Sequence, residues 1–303
     1  MSNIWWTRSW NPISGCSPVS EACDQCYAAR IAATRLQANP RYLGLATNLI
    51  WPDGDSIPSP CPPRFTGELR CHAELLDEPL HWRKPQRVFV CSMSDLFHER
   101  VPDEFLDRMF AVMAICPQHT FMVLTKRAAR MLEYVATSTI DRRLDAVRWL
   151  TFFSPQIDRH CAMPGSEGGF LAMAEWAERD KPLPNLWLGV TAENQARFDE
   201  RWPVLRDAWP GHKFISCEPL LGLVDIGDGA GIEWVICGGE TGPGARPMDS
   251  TWALWLYDQC KAAGIPFFFK HWGMANPQKQ DAYTAAELGQ HMPAALLLPG
   301  ETP

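Results

Sequence analysis

The chain has 303 residues, with 28 Lys and Arg against 35 Asp and Glu, a formal net charge of −7. That acidic balance excludes a general basic field for sequence-independent nucleic-acid binding, while a local basic groove stays compatible with it. Apolar residues make up 46% of the chain, enough for a sizeable core in one large α/β domain or two smaller ones. There is no run of about 18 apolar residues, and the opening MSNIWWTRSW has no signal-peptide pattern; a soluble, cytoplasmic protein without membrane contact is expected.

In chain order, Trp10-Asn11-Pro12-Ile13-Ser14-Gly15 reads as a short first strand ended by glycine. Cys16, Cys23 and Cys26 follow, spaced C-x6-C-x2-C, with Tyr27 directly after them. Tyr27 to Gln37, rich in Ala, Arg and Leu, reads as a helix. The stretch from about Asn39 to Arg87 is irregular, with DGDSIPSPCPP as loop and FTGELRC as a short ribbon, and its length marks an insertion that shapes a site.

A repeating unit then begins. Apolar runs at Arg87–Met93, Thr120–Leu124, Leu186–Val190, Lys213–Cys217, Trp234–Cys237 and Ile265–Phe269 are buried-strand signals. Helices are expected near Pro102–Met113, through Met131, over a Phe198/Trp202/Leu205/Trp209 stripe, and at Ser250–Ala263. Residues from about 138 to 184 break the rhythm, with a helix expected at Phe170–Arg179, and read as a second insertion. Strands that are apolar throughout and alternate with helices make a parallel sheet covered on both faces. The expected fold is therefore α/β, a complete or partial (β/α) TIM-type barrel of about six to seven parallel strands. It spans residues 1–275 as one domain with the two insertions, and residues 276–303 form a peripheral tail with a short helix at Thr284–Gln290. A doubly wound open sheet is the alternative, but no G-x-G-x-x-G follows the first strand.

Polar residues gather at the strand ends: Ser94 and Asp95, Thr125 and Lys126, Glu193 and Asn194, Glu218, Glu240 and Arg246, Lys270 and His271. In a parallel barrel these ends share one rim, where barrel enzymes place their chemistry. Gly238-Gly239 makes either a tight turn or a close backbone approach to a ligand. Arg246 makes either a loop salt bridge or a bidentate clamp on a carboxylate. His98 and His271 are more commonly scaffold than metal ligands. Basic stretches at Arg83-Lys84 with Arg87, and at Lys126-Arg127, could make phosphate contacts.

Of 11 cysteines, only Cys16, Cys23 and Cys26 cluster; Cys91, Cys116, Cys217, Cys237 and Cys260 read as buried small hydrophobes. Three thiolates on a loop can hold three corners of a 4Fe–4S cube and leave one iron open. Zinc is the competing occupant, since C-x2-C is half a zinc knuckle, but the chain has no second C-x2-C or H-x3-H pair.

Taken together, WNPISGC…CDQCYA, FTGEL, FVCSMSDLFHE, LTKR, LGVTAEN, SCEPLLG, WVICGGETGPGARPM and FFFKHWG resemble a phage- and prophage-associated family of uncharacterised three-cysteine barrel proteins. More distantly the chain resembles the radical S-adenosylmethionine (SAM) enzymes, with the spore photoproduct lyases as the branch for comparison. It departs from their C-x3-C-x2-C motif in its x6 gap and in having Tyr27 after the last cysteine. The resemblance implies Cys16, Cys23 and Cys26 as ligands of a 4Fe–4S cluster whose open iron chelates SAM, and a 5′-deoxyadenosyl radical that abstracts hydrogen from substrate. It implies Lys126, Glu218 and Lys270 as catalytic candidates. Ser94, Asp95, Glu193, Gly238, Gly239, Glu240 and Arg246 are the cofactor-binding candidates. The implied partners are SAM, an electron donor such as a flavodoxin or ferredoxin, and a substrate that is a nucleic-acid base, a nucleotide or a related small molecule. Two competing functions are a non-catalytic metal- or cluster-binding interaction protein on a barrel scaffold and, ranked last, a metal-dependent hydrolase, which would want more His and Asp at the strand ends.

Overall fold

The structure is a computed structural model and describes residues 4–50, 59–153, 182–275, 288–299 and 301. Its centre is a seven-stranded, all-parallel sheet in the order β1 (Arg8–Trp10), β6 (Arg87–Val90), β7 (Thr120–Thr125), β8 (Leu186–Thr191), β9 (His212–Cys217), β10 (Val235–Gly238) and β11 (Phe267–His271). Among the described residues, five helices lie between or beside these strands: α2 (Asp103–Ile115), α3 (Ala128–Thr137), α4 (Ile140–Phe153), α5 (Gln195–Ala208) and α6 (Ser250–Ala263). A further helix, α1 (Tyr27–Ala33), follows the cysteines. Among the described residues β1 and β11 are the two edges of the sheet, which makes a partial barrel.

Strand periodicity sorts the side chains into two faces. Val88 and Val90, Phe121 and Val123, Leu186, Leu188 and Val190, Ile215 and Cys217, and Phe267 and Phe269 join the core beneath the helices. The alternate positions Phe89, Met122, Trp187, Phe214, Ile236 and Phe268 form a second, aromatic-rich core on the opposite face. Trp5, just before β1, lies in that second core with its ring 5.8 Å from Trp234 and 6.1 Å from Phe214, and Trp234 leads into β10. A residue beside one edge meets residues near the other because the sheet curls, and the second core is the inside of the curl. Gly189 is required here, since a Cβ at that position would lie 2.5 Å from the Phe214 ring.

Three expectations are corrected. The stretch NPISG is not the first barrel strand: β1 ends at Trp10, and Ile13–Gly15 forms β2, paired antiparallel with β5 (Leu69–Cys71). Pro12 has no N–H for the sheet, and its carbonyl instead accepts from the His72 N–H at 2.7 Å. In the first insertion FTGELRC supplies β5 to that ribbon as expected, but SPCPP, expected as loop, lies in β4 (Ser59–Phe65), which pairs antiparallel with β3 (Ala46–Ile50); the second insertion carries α4. The described part of the expected tail, 288–299 and 301, packs against the sheet. Leu288 and Leu296 are each 1% exposed, Gln290 bridges to Phe268, and buried Arg87 bonds the Trp5 and Leu296 carbonyls and pairs with Glu301. Those contacts also remove Arg87 from any phosphate-binding role. The helices expected at Phe170–Arg179 and at Thr284–Gln290 fall wholly or largely outside the described residues. No helix among the described residues is long and apolar enough to cross a membrane.

Candidate functional site: a cysteine-lined cavity

The period-two rule that builds the aromatic floor also builds what stands above it. Continuing from Met122, Phe214 and Phe268 along the same face gives Lys126, Glu218 and Lys270 at the C-terminal ends of β7, β9 and β11. A cavity of about 540 Å³ opens there. Its walls include Trp5 and Phe89 below, the three cysteines and Tyr27 at the rim, and Ser94, Asp95, Lys126, Glu218, Gly239, Glu240, Lys270 and His271 around it. Ten of the thirteen candidate residues therefore converge on one cavity; Glu193, Gly238 and Arg246 do not line it.

Each of those three exceptions has a visible partner. Glu193 is fully buried and pairs with Arg201 of α5 at 2.8 Å, a tie between β8 and its own helix. Arg246 clamps a carboxylate belonging to the protein itself: Nη2 and Nε donate to Glu240 at 2.5 and 3.0 Å. Its Nη2 also donates to the Glu21 carbonyl at 2.9 Å, so it fastens the β10 end to the cysteine loop. Gly238 sits behind Lys270 and Glu218, while Gly239 lines the cavity where a Cβ would strike the Trp272 carbonyl at 2.2 Å.

The cysteine loop is stapled from several directions. Glu21 accepts from Asn194, which caps α5, and from Arg197 Nη2 at 3.1 Å. Arg30 of α1 donates to the Thr241 carbonyl at 2.7 Å and lies across Gly242, whose φ of +101° and absent side chain let it pass. On the Cys16 side the staple is Arg127, which bonds Ser17, Asp95, Glu99 and the Cys16 sulfur. Arg127 is thereby saturated and is not the phosphate contact its neighbourhood in the sequence suggests. His98 holds Ser17 at 2.9 Å, a scaffold role. Ser94 donates to the Ile13 carbonyl at 3.0 Å, fixing β2 beside β6.

Asp95 is fully occupied. Its Oδ1 accepts from Thr125 Oγ1 at 2.7 Å and the Phe97 N–H at 3.1 Å; its Oδ2 accepts from the Lys126 N–H at 3.0 Å and Arg127 Nη1 at 3.1 Å. Lys270 Nζ donates to Glu218 Oε1 at 2.6 Å and lies 5.3 Å above the Trp6 ring, with His271 Nε2 3.6 Å from the same oxygen. Lys126 has no carboxylate partner among the described residues. Cys91 is buried as expected, but it stands past the end of β6 with φ of +57° and lines the cavity.

The three cysteines are free thiols, each partly exposed. Burial pushes the Cys16 thiol up to about 12, helped by the Asp95 charge and opposed by Arg127, and burial likewise raises Cys26 against the pull of Lys126. Partly desolvated thiols of this kind lose their protons when a metal cation supplies the charge. In donor type and surroundings they fit a thiolate-held group. Among the described residues, however, no three Cys, His, Asp or Glu side chains are gathered as a ready-made metal site. The loop presents its sulfurs around a rim, and binding would have to draw them together.

These features define a class: an α/β protein with a partial parallel barrel and a three-cysteine loop over a cavity at the C-terminal rim. A family model described as "Protein of unknown function (DUF5131)" matches residues 1–296, and the chain belongs to that family. No curated protein and no solved structure matches it.

Ser17, Glu21, Arg30 and Cys91 carry no site signal in the sequence, and Arg127 stands out there only as part of a basic stretch.

Proposed function

We propose that this protein is a radical SAM-type iron–sulfur enzyme acting on a nucleic-acid base, nucleotide or related small substrate. One observation carries the reading: Cys16, Cys23 and Cys26 line the same cavity as Lys126 and the Glu218–Lys270 pair, at the rim where parallel barrels place their chemistry. Cys16, Cys23 and Cys26 would hold the cluster, which supplies one electron to the sulfonium of SAM. Lys126, the ammonium without a carboxylate partner among the described residues, suits the SAM carboxylate. Glu218 and Lys270 are placed to accept or return a proton on a substrate lying over the aromatic floor. Trp5, Phe89 and Leu124 keep water from that floor. Gly239 keeps a side chain out of the space beside Trp272.

The ungathered cysteines favour a second reading, a metal-binding interaction protein on the same scaffold. Anaerobic reconstitution with iron and sulfide, followed by dithionite and SAM, separates the two. The enzyme reading expects bound iron and 5′-deoxyadenosine, both lost in Cys26→Ala. Zinc held by four thiolate or imidazole ligands, with no iron taken up, would sink it.

A further inference from the structure

We propose that Thr191 and Ser216 hydrogen-bond the in-plane polar edge of a flat heteroaromatic ring, and so decide which ring the cavity accepts. This rests on the functional reading above and narrows its substrate class to molecules built on a nucleobase-like ring.

Strand geometry puts the two hydroxyls side by side. Thr191 of β8 and Ser216 of β9 are register partners in the parallel sheet. Val190 packs beneath the helices, so Thr191 after it faces inward with Trp187; Cys217 packs there too, so Ser216 faces inward with Phe214. Both residues line the cavity, at 1% and 2% exposure. Neighbouring strands lie about 4.8 Å apart, a spacing that two polar atoms of one flat ring can meet. The same row runs on through Ile236 to Phe268 and turns apolar. One inward step earlier on β8 and β9 come Gly189 and Phe214, where the Phe214 ring fills the space the glycine leaves.

Thr191 Oγ1 has no hydrogen-bond partner among the described residues, and neither has the Ser216 hydroxyl. Protein interiors seldom leave such groups unpaired, because a buried hydroxyl without a partner costs stability. Trp5 Nε1 and His271 Nδ1, on two other residues that line the cavity, are buried and unpaired in the same way. Ser94, Asp95 and Glu240 on the rim are instead satisfied within the protein. An aromatic surface carrying a few unpaired polar groups is the combination that reads a flat base, packing its face and bonding its edge. A hydroxyl both donates and accepts, so the pair matches the mixed edge of a heterocycle. An acceptor-only carboxylate is matched by the Lys126 ammonium.

The test separates recognition from structure. Full-length protein as isolated is titrated calorimetrically with adenosine, guanosine, cytidine and uridine. A fifth probe, phenyl riboside, keeps the sugar and a flat ring but has no polar edge. Wild type, Thr191→Val and Ser216→Ala are compared, and each is also melted without ligand. Wild type should bind at least one nucleoside, and phenyl riboside at least about tenfold more weakly. Each substitution should weaken the preferred nucleoside by about 5- to 150-fold, the range for leaving a buried polar group unpaired. Thr191→Val is isosteric and removes an unpaired hydroxyl, so its melting temperature should not fall. A lower melting temperature for Thr191→Val would give that hydroxyl a structural task and overturns the inference. An unchanged affinity in either variant, phenyl riboside bound as tightly as the nucleosides, or no nucleoside bound at all overturns it too. None of these results touches the functional reading, which iron uptake and 5′-deoxyadenosine decide. Zinc in place of iron would refute that reading and leave the nucleoside affinities where they are.

Discussion

Asp95→Asn is the most exposing single change, because one carboxylate joins two strand ends to the arginine under the cysteine loop. The four donors around Asp95 divide evenly between its oxygens, and its side chain is 8% exposed. Asparagine keeps one oxygen and replaces the other by an NH2, so whichever way it turns, two donors face a donor. If the oxygen stays toward Thr125 and Phe97, the Lys126 N–H is left buried without an acceptor, at a cost of about 1–3 kcal/mol. The Arg127 guanidinium also loses its buried partner, a class of change that costs about 3–5 kcal/mol. Glu99 still faces Arg127 but is 59% exposed, so it compensates only in part and holds the total near the lower bound, about 3 kcal/mol. Against a typical whole-chain stability of about 5–15 kcal/mol, that is a large fraction. Urea denaturation should show the midpoint fall with an unchanged slope. Thermal melting should drop by about 6–12 °C on the scaling for domains of somewhat smaller size. A loss below about 0.5 kcal/mol, the range of ordinary surface changes, would refute the assignment of Asp95 as the hub of this rim.

Two further outcomes follow from the packing. Leu296→Ala empties a 1% exposed position in the core inside the curl and should cost about 2–5 kcal/mol by urea denaturation; a surface-sized change would return the end of the chain to the periphery. His98 accepts the Arg100 N–H on Nδ1 at 3.1 Å, and burial, then the Arg127 charge, holds its pKa below the ordinary 6.5. The unfolded chain therefore takes up this proton first, and stability is lost as pH falls below 6.5 toward the folded value. Melting curves over that window should show the advantage of wild type over His98→Gln shrinking as pH falls, and a constant gap would mean that Nδ1 is not the acceptor.

The parallel sheet was legible because each strand carries its own signal. Apolar runs such as Phe121-Met122-Val123 are buried on both faces and need no knowledge of their neighbours. Parity then carried Lys126, Glu218 and Lys270 onto the inner face, since Cβ directions alternate along a strand. Pairings between distant segments carried no such signal. Nothing near Glu193 announces that Arg201, one helix face away, will neutralise it, nor that Arg246 will meet Glu240 across a glycine-rich turn. The C-terminal stretch misled for a related reason: Leu288 and Leu296 are too sparse to show periodicity, yet the sheet edges at β11 and β1 need covering. Pro12 is the one local signal against NPISG as a barrel strand, because a central strand cannot spare the N–H it lacks.

The charge pattern of the rim bears on which occupant the site suits. Asp95 is matched by Arg127, Glu240 by Arg246, Glu193 by Arg201 and Glu218 by Lys270. Lys126 stands apart, a cation without a carboxylate partner among the described residues, close enough to Cys26 to favour its thiolate. In a chain whose net charge is −7, the cavity is thus locally biased toward an anion. A closed structural zinc site has all four positions taken by protein and uses neither a cavity of about 540 Å³ beside it nor a spare ammonium. An occupant with one open coordination position, meeting a small molecule that carries a carboxylate, uses both. That asymmetry is why the enzyme reading is preferred, and why Lys126→Met should weaken SAM binding more than it weakens iron retention.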